Sequence, residues 1–211
     1  VEEKEAWCRA AKPVSEVALV SPEALHADKP GSYRGKALSE EGASRMLLET
    51  QIQFDVVDLD RDLSTYKLVI LPDEIELDEN SAFAHKLQTF LQNGGKILMS
   101  GRSGMNKEHS QFVLDAGIEI AGRSEFNPDY ISPGDELPTA PVRGRFVIHG
   151  GAWNVTPNDG TRVLASRYDS YFNRAWNHFC SHQHTPDEKP SQFPAVTATQ
   201  NIVYVAHDVF T

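Results

Sequence analysis

Four side chains that commonly bind zinc occupy alternate positions near the C-terminus: His178, Cys180, His182 and His184. A zinc site needs three or four nitrogen or sulfur ligands that converge on one tetrahedral point. In a straight strand these side chains would share a face but spread over roughly 20 Å, because a strand rises ~3.3 Å per residue. Two or three of them converge only if residues 178–184 form a loop.

The same stretch has a second interpretation, which needs no metal. Aromatic residues accompany the histidines at Tyr171, Phe172, Trp176 and Phe179. A polar loop with such anchors can cap a sheet edge, dock onto another domain or line a carbohydrate cleft. The candidate interface or sugar-contact residues are Tyr171, Trp176, His178, His182 and His184, and no metal ligand set is assigned.

A β-α-β unit between residues 66 and 106 positions the other candidate site. Residues 68–71 form a continuous apolar run, typical of a strand buried on both faces of a parallel sheet. A helix with one apolar face follows and ends at Gly94-Gly95, since glycine adopts the left-handed C-cap conformation without a Cβ penalty. A second apolar run, 97–99, leads into the tight turn Gly101-Arg102-Ser103-Gly104. Ligands of such sheets gather at the carboxyl ends of the strands, so this turn is where chemistry is expected.

Apolar periodicity and turn residues predict the remaining elements. Helices are expected at residues 2–11, at 107–116 and after Ser39, which can cap a helix N-terminus. Loops are expected at 26–35 and at 124–141, where prolines and acidic residues are dense. Strands are expected at 17–20, 54–59, 118–121, 145–148, 162–165, 195–199 and 202–206, with a hairpin tip at Gln200-Asn201. This order predicts an α/β fold whose mixed sheet has a mostly parallel core and a C-terminal antiparallel hairpin.

An acidic run, Glu74, Glu76, Asp78 and Glu79, precedes the helix of the β-α-β unit. Negative charge at a helix start complements the helix dipole, and we expect this role for the run. The alternative is paired-carboxylate catalysis, in which a retaining glycosidase holds two carboxyl groups about 5–5.5 Å apart across a sugar cleft.

Composition excludes several classes of function. The net charge is −10, and no segment clusters basic residues, which argues against a nucleic-acid partner. No apolar run approaches the roughly 18 residues of a membrane helix. Two cysteines are too few for a disulfide framework and assign no compartment. The chain starts Val-Glu-Glu-Lys-Glu, without a start methionine or a signal peptide, and is expected to be part of something longer or a processed product.

Several stretches, taken in order, resemble one known domain. Residues 67–106 are similar to the core of the class I glutamine amidotransferase-like fold. More closely, the chain resembles the amidotransferase-like β-galactosidase trimerisation domain, which follows the catalytic barrel in some glycoside hydrolases of the galactosidase or fucosidase type. The stretches that carry the resemblance are WCRAAKPV (7–14), EGA (41–43) through FDVV (54–57), LVILPD (68–73), GGKILMSG (94–101) and YFNR (171–174) through HFCSHQHTP (178–186).

The resemblance implies a fold whose active site has been lost. Aligned on the family's Gly-x-Cys-x-Gly turn, the chain has Arg102 at the nucleophile position, and arginine stays protonated and cannot attack a carbonyl. Ser103 lies one position out of register. The family's His-Pro-Glu corresponds to His207-Asp208-Val209, so a histidine remains while the carboxylate that orients it is replaced. The resemblance therefore implies no catalytic residue in this chain and no cofactor.

Two functions from different classes follow. In the first, residues 1–13 are a linker helix from a preceding catalytic barrel, and residues 14–211 are a three-layer, flavodoxin-like domain without activity. This domain would pack on the barrel and mediate homo-oligomerisation as a trimer, meeting carbohydrate only through the parent enzyme. In the second, the chain is a self-sufficient small hydrolase, or a metal- or sugar-binding module, that uses the 178–184 loop or His207 with Ser103.

Overall fold

A nine-stranded mixed sheet organises the chain in the computed structural model, which describes residues 2–26, 38–137 and 144–211. The helices are α1 (Glu2–Cys8), α2 (Leu38–Glu49) and α3 (Ala82–Gln92), with a short 3-10 helix at Pro22–His26. The strands are β1 (Val17–Val20), β2 (Phe54–Val57), β3 (Leu68–Leu71), β4 (Lys96–Ser100), β5 (Ile118–Arg123), β6 (Asp129–Pro133), β7 (Phe146–Ile148), β8 (Trp153–Pro157), β9 (Arg162–Ser170), β10 (Asp187–Ala198) and β11 (Ile202–Val205).

Half of the sheet is parallel, in the order β2-β1-β3-β4-β11. Alternate residues of β1 point to opposite faces, as the two-residue period of a strand requires. Val17 and Leu19 pack in one apolar cluster with Ala43 and Leu47 of α2. Ala18 and Val20 join the larger cluster, to which α3 contributes Phe83, Leu87 and Phe90. The two helices therefore cover opposite faces of the parallel strands, and the predicted β-α-β unit β3-α3-β4 is confirmed.

The other half is antiparallel, in the order β11-β10-β9-β6-β7, and β5 pairs with β8 in a separate two-stranded sheet. The predicted hairpin at Gln200-Asn201 is confirmed as the connection between β10 and β11. The prediction of a mixed α/β sheet is thus confirmed. Four strands, β10, β9, β6 and β7, extend the sheet beyond β11 with antiparallel pairing; the sequence predicted strands at β10, β9 and β7 but specified antiparallel pairing only for the C-terminal hairpin. Strand β8 was not predicted.

The helix predicted at 107–116 is wrong. This segment is a series of turns closed by an isolated bridge between Met105 and Phe112. The Asn106 side-chain oxygen accepts hydrogen bonds from the N–H groups of Ser110 and Gln111, and His109 has a φ of 51°. An asparagine side chain that satisfies backbone donors in this way competes with helix formation.

The loop predicted at 124–141 is also wrong in part, because β6 lies within it and pairs with β9. Residues 138–141 of that prediction, and residues 27–35 of the loop predicted at 26–35, lie outside the described residues. Helix α2 begins at Leu38, so Ser39 lies inside the first turn and not at the predicted cap, and its hydroxyl bonds to Glu74. None of the helices in the described ranges has the length and apolar content needed to cross a bilayer.

Candidate functional site

The turn after β4 lies at the carboxyl ends of the parallel strands, as predicted, and its two glycines are left-handed: Gly101 has a φ of 56° and Gly104 a φ of 83°. A strained strand-end turn is the position where related folds expose a nucleophile. Here a Cβ on Gly101 would lie 2.0 Å from Oδ1 of Asp208 and 2.8 Å from the carbonyl oxygen of Asp73. No side chain fits at this point of the turn.

The two serines of the turn region hold backbone and side chains of the preceding loop. Ser103 is fully buried, and its hydroxyl accepts a hydrogen bond from the N–H of Ile75 at 2.9 Å. Ser100, also buried, accepts from the N–H of Asp73 at 3.0 Å and donates to Oδ1 of Asp73 at 2.6 Å. Both hydroxyls therefore fix the chain between β3 and α3 against the turn.

Asp73 holds the C-terminal segment over the carboxyl ends of the parallel strands. Its carboxylate is 2% exposed and accepts hydrogen bonds from the N–H groups of Val209 (3.1 Å) and Phe210 (2.9 Å) as well as from Ser100. Phe210 then packs against the apolar cluster under α2. Its carbonyl oxygen lies 1.8 Å from where a Cβ on Gly42 would be, so the segment and helix are in close contact. Burial raises the pKa of the Asp73 carboxyl, while the three hydrogen bonds act in the opposite direction. Residues 208–211, which we call the C-terminal strap, cover the strand ends.

Asp208 gives a test of the electrostatics at this edge. Burial, followed by the negative charge of Asp73, raises the pKa of the Asp208 carboxyl. A raised pKa in the folded state means that ionisation costs stability, and this cost is absent below the unfolded pKa of about 3.9 and develops as pH rises through the folded value. Asp208→Asn should therefore be more stable than the parent chain at pH 7, and the difference should shrink as pH falls toward 4. Urea unfolding at several pH values measures this, with the exposed Asp60→Asn as control. A difference that grows on acidification would contradict the assignment.

His207, which the sequence predicted to be a remnant of the family's site, is fully buried and has a carboxylate partner. Its Nε2 lies 2.6 Å from Oδ1 of Asp129, which is also fully buried. Asp129 is in β6, inside the stretch where the sequence predicted a loop, so it was missed. A backbone hydrogen bond joins the turn to His207: the N–H of Gly101 donates to the carbonyl of His207 at 3.0 Å. In the described ranges, no hydrogen bond joins the His207 ring to Ser100 or Ser103.

Arg102 lies in the turn, with its side chain 40% exposed, and pairs with acidic residues. Its guanidinium is 2.9 Å from Glu76 and 3.4 Å from Glu74. Nε2 of His109 lies 2.9 Å from the same Glu76 oxygen. The predicted helix-dipole role of the acidic run is wrong for these residues, because α3 begins only at Ala82 with Ser81 as its N-cap. The two carboxylates instead neutralise Arg102.

The aromatic and histidine residues at 171–186 form a loop between β9 and β10. Three apolar side chains protrude from it: Trp176 is 91% exposed, Phe179 68% and Tyr171 61%. The His178 ring stacks on Phe172 with 3.9 Å between ring centroids, and a short turn joins Ala175 to His178. We call residues 171–186 the aromatic loop.

The loop does not bring its histidines together. His184 packs edge-on against the rings of Tyr130 and His149, whereas His182 is exposed. The Cys180 thiol lies 3.6 Å from the carbonyl of His182 and 3.5 Å from that of His184. Within residues 2–26, 38–137 and 144–211, no three His, Cys, Asp or Glu side chains are grouped so that they could hold a metal ion.

A second polar cluster, which the sequence did not indicate, lies at the junction of β6, β9 and β10. Arg167 is 2% exposed, and its Nε lies 3.7 Å from Asp129 and 3.8 Å from Asp169. Burial lowers the pKa of Arg167, and the two carboxylates act to raise it. An arginine in the middle of an alternating strand carries no sequence signal that distinguishes burial from exposure.

The mixed sheet and the helices packed on it define a mixed α/β domain. Known proteins contain this fold as one part of longer chains. The α-L-fucosidase isoenzyme 2 of Paenibacillus thiaminolyticus is 38% identical with a TM-score of 0.88, over 100% of this chain and 31% of that one. The β-galactosidase of Bacillus circulans sp. alkalophilus is 18% identical, with a TM-score of 0.67 over 98% of this chain and 30% of that one. The exo-β-1,4-mannosidase Op5Man5 of Opitutaceae bacterium strain TAV5 is 18% identical, with a TM-score of 0.62 over 98% and 33%.

Residues 44–118 match the family model described as the β-galactosidase trimerisation domain. The resemblance predicted from the sequence is therefore confirmed. The chain spans about a third of the length of the three solved enzymes it resembles. No curated protein matches it.

Proposed function

We propose that this chain is a non-catalytic structural and oligomerisation domain of a longer glycoside hydrolase. The observation that carries the proposal is the content of the turn after β4: the position aligned with the nucleophile holds Arg102, whose guanidinium pairs with Glu74 and Glu76. Gly101 has no room for a side chain, the hydroxyls of Ser100 and Ser103 are engaged, and the C-terminal strap covers the site. A fold can persist after its chemistry is lost. We further propose that the fold is the three-layer, flavodoxin-like form of the class I amidotransferases.

The exposed apolar side chains support an assembly role. Trp176, Phe179 and Tyr171 protrude from one loop, and large exposed aromatic residues are enriched at the centres of protein interfaces. At the other end of the chain, Trp7 of α1 is 85% exposed and Val14 82%. We propose that residues 1–13 pack against a preceding catalytic barrel and that the aromatic loop contacts a second copy in a trimer or reaches a sugar cleft. Under this proposal the sugar is bound and cleaved by the parent enzyme.

The aromatic loop gives the test of the assembly role. In the longer protein, Trp176→Ser with Phe179→Ser should raise the dissociation constant of the oligomer by at least about tenfold, because buried aromatic anchors dominate interface energetics. The two side chains are exposed in this domain, so its unfolding midpoint should not change. Analytical ultracentrifugation measures the mass distribution. Leu48→Ser, at an apolar residue of α2 that is 67% exposed, is the matched control. If only the control dissociates the oligomer, the interface is on α2 and the aromatic loop is excluded.

The alternative of a small metal-dependent hydrolase makes a separate prediction. It requires stoichiometric metal in the purified chain and loss of that metal in His182→Ala. We expect neither, since His178, His182 and His184 have different neighbours. Mass spectrometry measures the metal content of the purified chain and of His182→Ala. One equivalent of bound metal that is lost in the variant would favour the metal-dependent hydrolase.

A further inference from the structure

A polar cavity of about 350 Å³ opens beside β9 and β10, and neither the turn after β4 nor the aromatic loop contributes to it. This volume is at the lower end of the range for small-molecule sites. Its walls combine charged, amide, hydroxyl and aromatic groups, contributed by Arg167, Asp169, Asn154, Ser191, Phe126 and Phe193.

Arg167 and Asp169 bring buried polar atoms to the cavity that lack partners. Nη2 of Arg167 donates to Oδ1 of Asn154 at 2.7 Å and to Oγ of Ser191 at 2.9 Å, so the guanidinium is held in place. Its Nε and Nη1, and Oδ1 of Asp169, have no hydrogen-bond partner among the residues that the structure describes. Arg167 is 2% exposed and Asp169 8%. Buried polar groups are rarely left unpaired, since each costs about 1–3 kcal/mol, so these atoms indicate a ligand or ordered water.

The charges of the cavity define the kind of ligand. The Arg167 guanidinium lies between the carboxylates of Asp129 and Asp169, and at the rim Lys189 is matched by Glu125. The site therefore offers no excess positive charge for an anion. Nη1 of Arg167 is a donor without a hydrogen-bond partner, and Oδ1 of Asp169, which lies 3.8 Å from Nε of Arg167, is an acceptor without one. Hydroxyl groups satisfy both, because each one donates and accepts.

Two aromatic rings complete the site. Phe126 and Phe193 are half-buried and line the same cavity, and the Arg167 guanidinium lies 5.7 Å from the centre of the Phe193 ring. Aromatic faces provide apolar contact for the C–H groups of a ring compound. We propose that this cavity binds a neutral polyhydroxylated ligand, the size of one pyranose sugar. This goes beyond the assembly function and holds whether or not the domain oligomerises.

Titration of the isotope-labelled 211-residue chain, followed by NMR, tests the proposal. The neutral probes are D-glucose, D-galactose, D-mannose and L-fucose, and the charged probes are D-glucuronate and inorganic phosphate. At least one neutral sugar should give saturable shifts with a Kd in the millimolar range, at the amides of residues 124–126, 189 and 191–193. Phosphate should give none there.

Variants separate binding from folding. Asp169→Asn keeps the side-chain shape, and because burial raises the pKa of Asp169 the neutral amide should be tolerated. Asp169→Asn should weaken binding of the neutral sugar about tenfold or more. Phe126→Ala removes a ring at the rim and should weaken binding as well, while Glu188→Gln, exposed on the same strand β10, should not change it. The proposal is overturned if no neutral sugar saturates these amides up to about 0.1 M, if phosphate binds there instead, or if both variants bind as the parent does.

Discussion

Asp129→Ala should destabilise the domain by about 3–5 kcal/mol, the cost of removing one partner from a buried charged cluster. Asp129 is fully buried, accepts the hydrogen bond of His207 and lies 3.7 Å from Arg167. Without it, His207 loses its hydrogen-bond partner, and Arg167 keeps only Asp169 as a counter-charge. A domain of this size has a total stability of about 5–15 kcal/mol, so the loss is a large fraction of it.

Urea unfolding followed by circular dichroism measures the Asp129 effect. Asp129→Asn keeps the acceptor for His207 but not the negative charge, and we expect a smaller loss than for the alanine variant. Asp135→Ala, at an exposed aspartate just after the same strand, is the control and should change the free energy of unfolding by less than about 0.5 kcal/mol. A loss below about 1 kcal/mol for Asp129→Ala would mean that the cluster contributes little to the junction of the two sheet halves.

Asp73→Ala should cost about 2–4 kcal/mol and release the C-terminal strap. The substitution removes the acceptor of three hydrogen bonds, from Ser100, Val209 and Phe210, and each buried group left without a partner costs about 1–3 kcal/mol. The loss should be smaller than the sum, because Ser100 can rotate its hydroxyl and the released strap can bond to water.

Hydrogen exchange distinguishes a local release of the strap from general destabilisation. The amides of Val209 and Phe210 should exchange at least about tenfold faster in Asp73→Ala, whereas those of β1 and β3 should change only with global stability. Asp73→Asn retains one acceptor oxygen and should give an intermediate rate at Phe210. If exchange at Val209 and Phe210 is unchanged, the carboxylate is not what holds the strap.

The parallel half of the sheet was predictable because its signals are local. Residues 68–71 and 97–99 are buried or half-buried on both faces, so they form apolar runs that stand out against their surroundings, and Gly94 marks the helix end with its left-handed backbone. The antiparallel half was predictable only in part: β6 was missed, and β9 and β10 are longer than the strands predicted at 162–165 and 195–199, because these strands alternate polar and apolar residues and β6 and β10 contain prolines. There, pairing between distant segments decides the structure and overrides local propensity.

The candidate site was predictable only in outline. The strand-end turn followed from the β-α-β unit, but what fills it depends on residues distant in sequence. Asp73 bonds to Phe210 across 137 positions and Asp129 to His207 across 78. A single sequence shows an aspartate after a strand, and another in a proline-rich stretch, without showing that both are buried. That His207 is the remnant of a triad stays a prediction, and its buried partner Asp129 was found only in the structure.

The proposed role of this domain is to assemble an enzyme without catalysing a reaction itself. The most direct measurement compares hydrolase activity and solution mass for the 211-residue chain, for the longer protein, and for the longer protein with this domain deleted. We expect that the isolated chain cleaves neither glycosides nor amides, that the longer protein is an oligomeric glycosidase, and that deletion lowers its mass to that of a monomer. Hydrolysis of any glycoside or amide by the isolated chain would contradict the proposed role, as would an oligomer that survives the deletion intact.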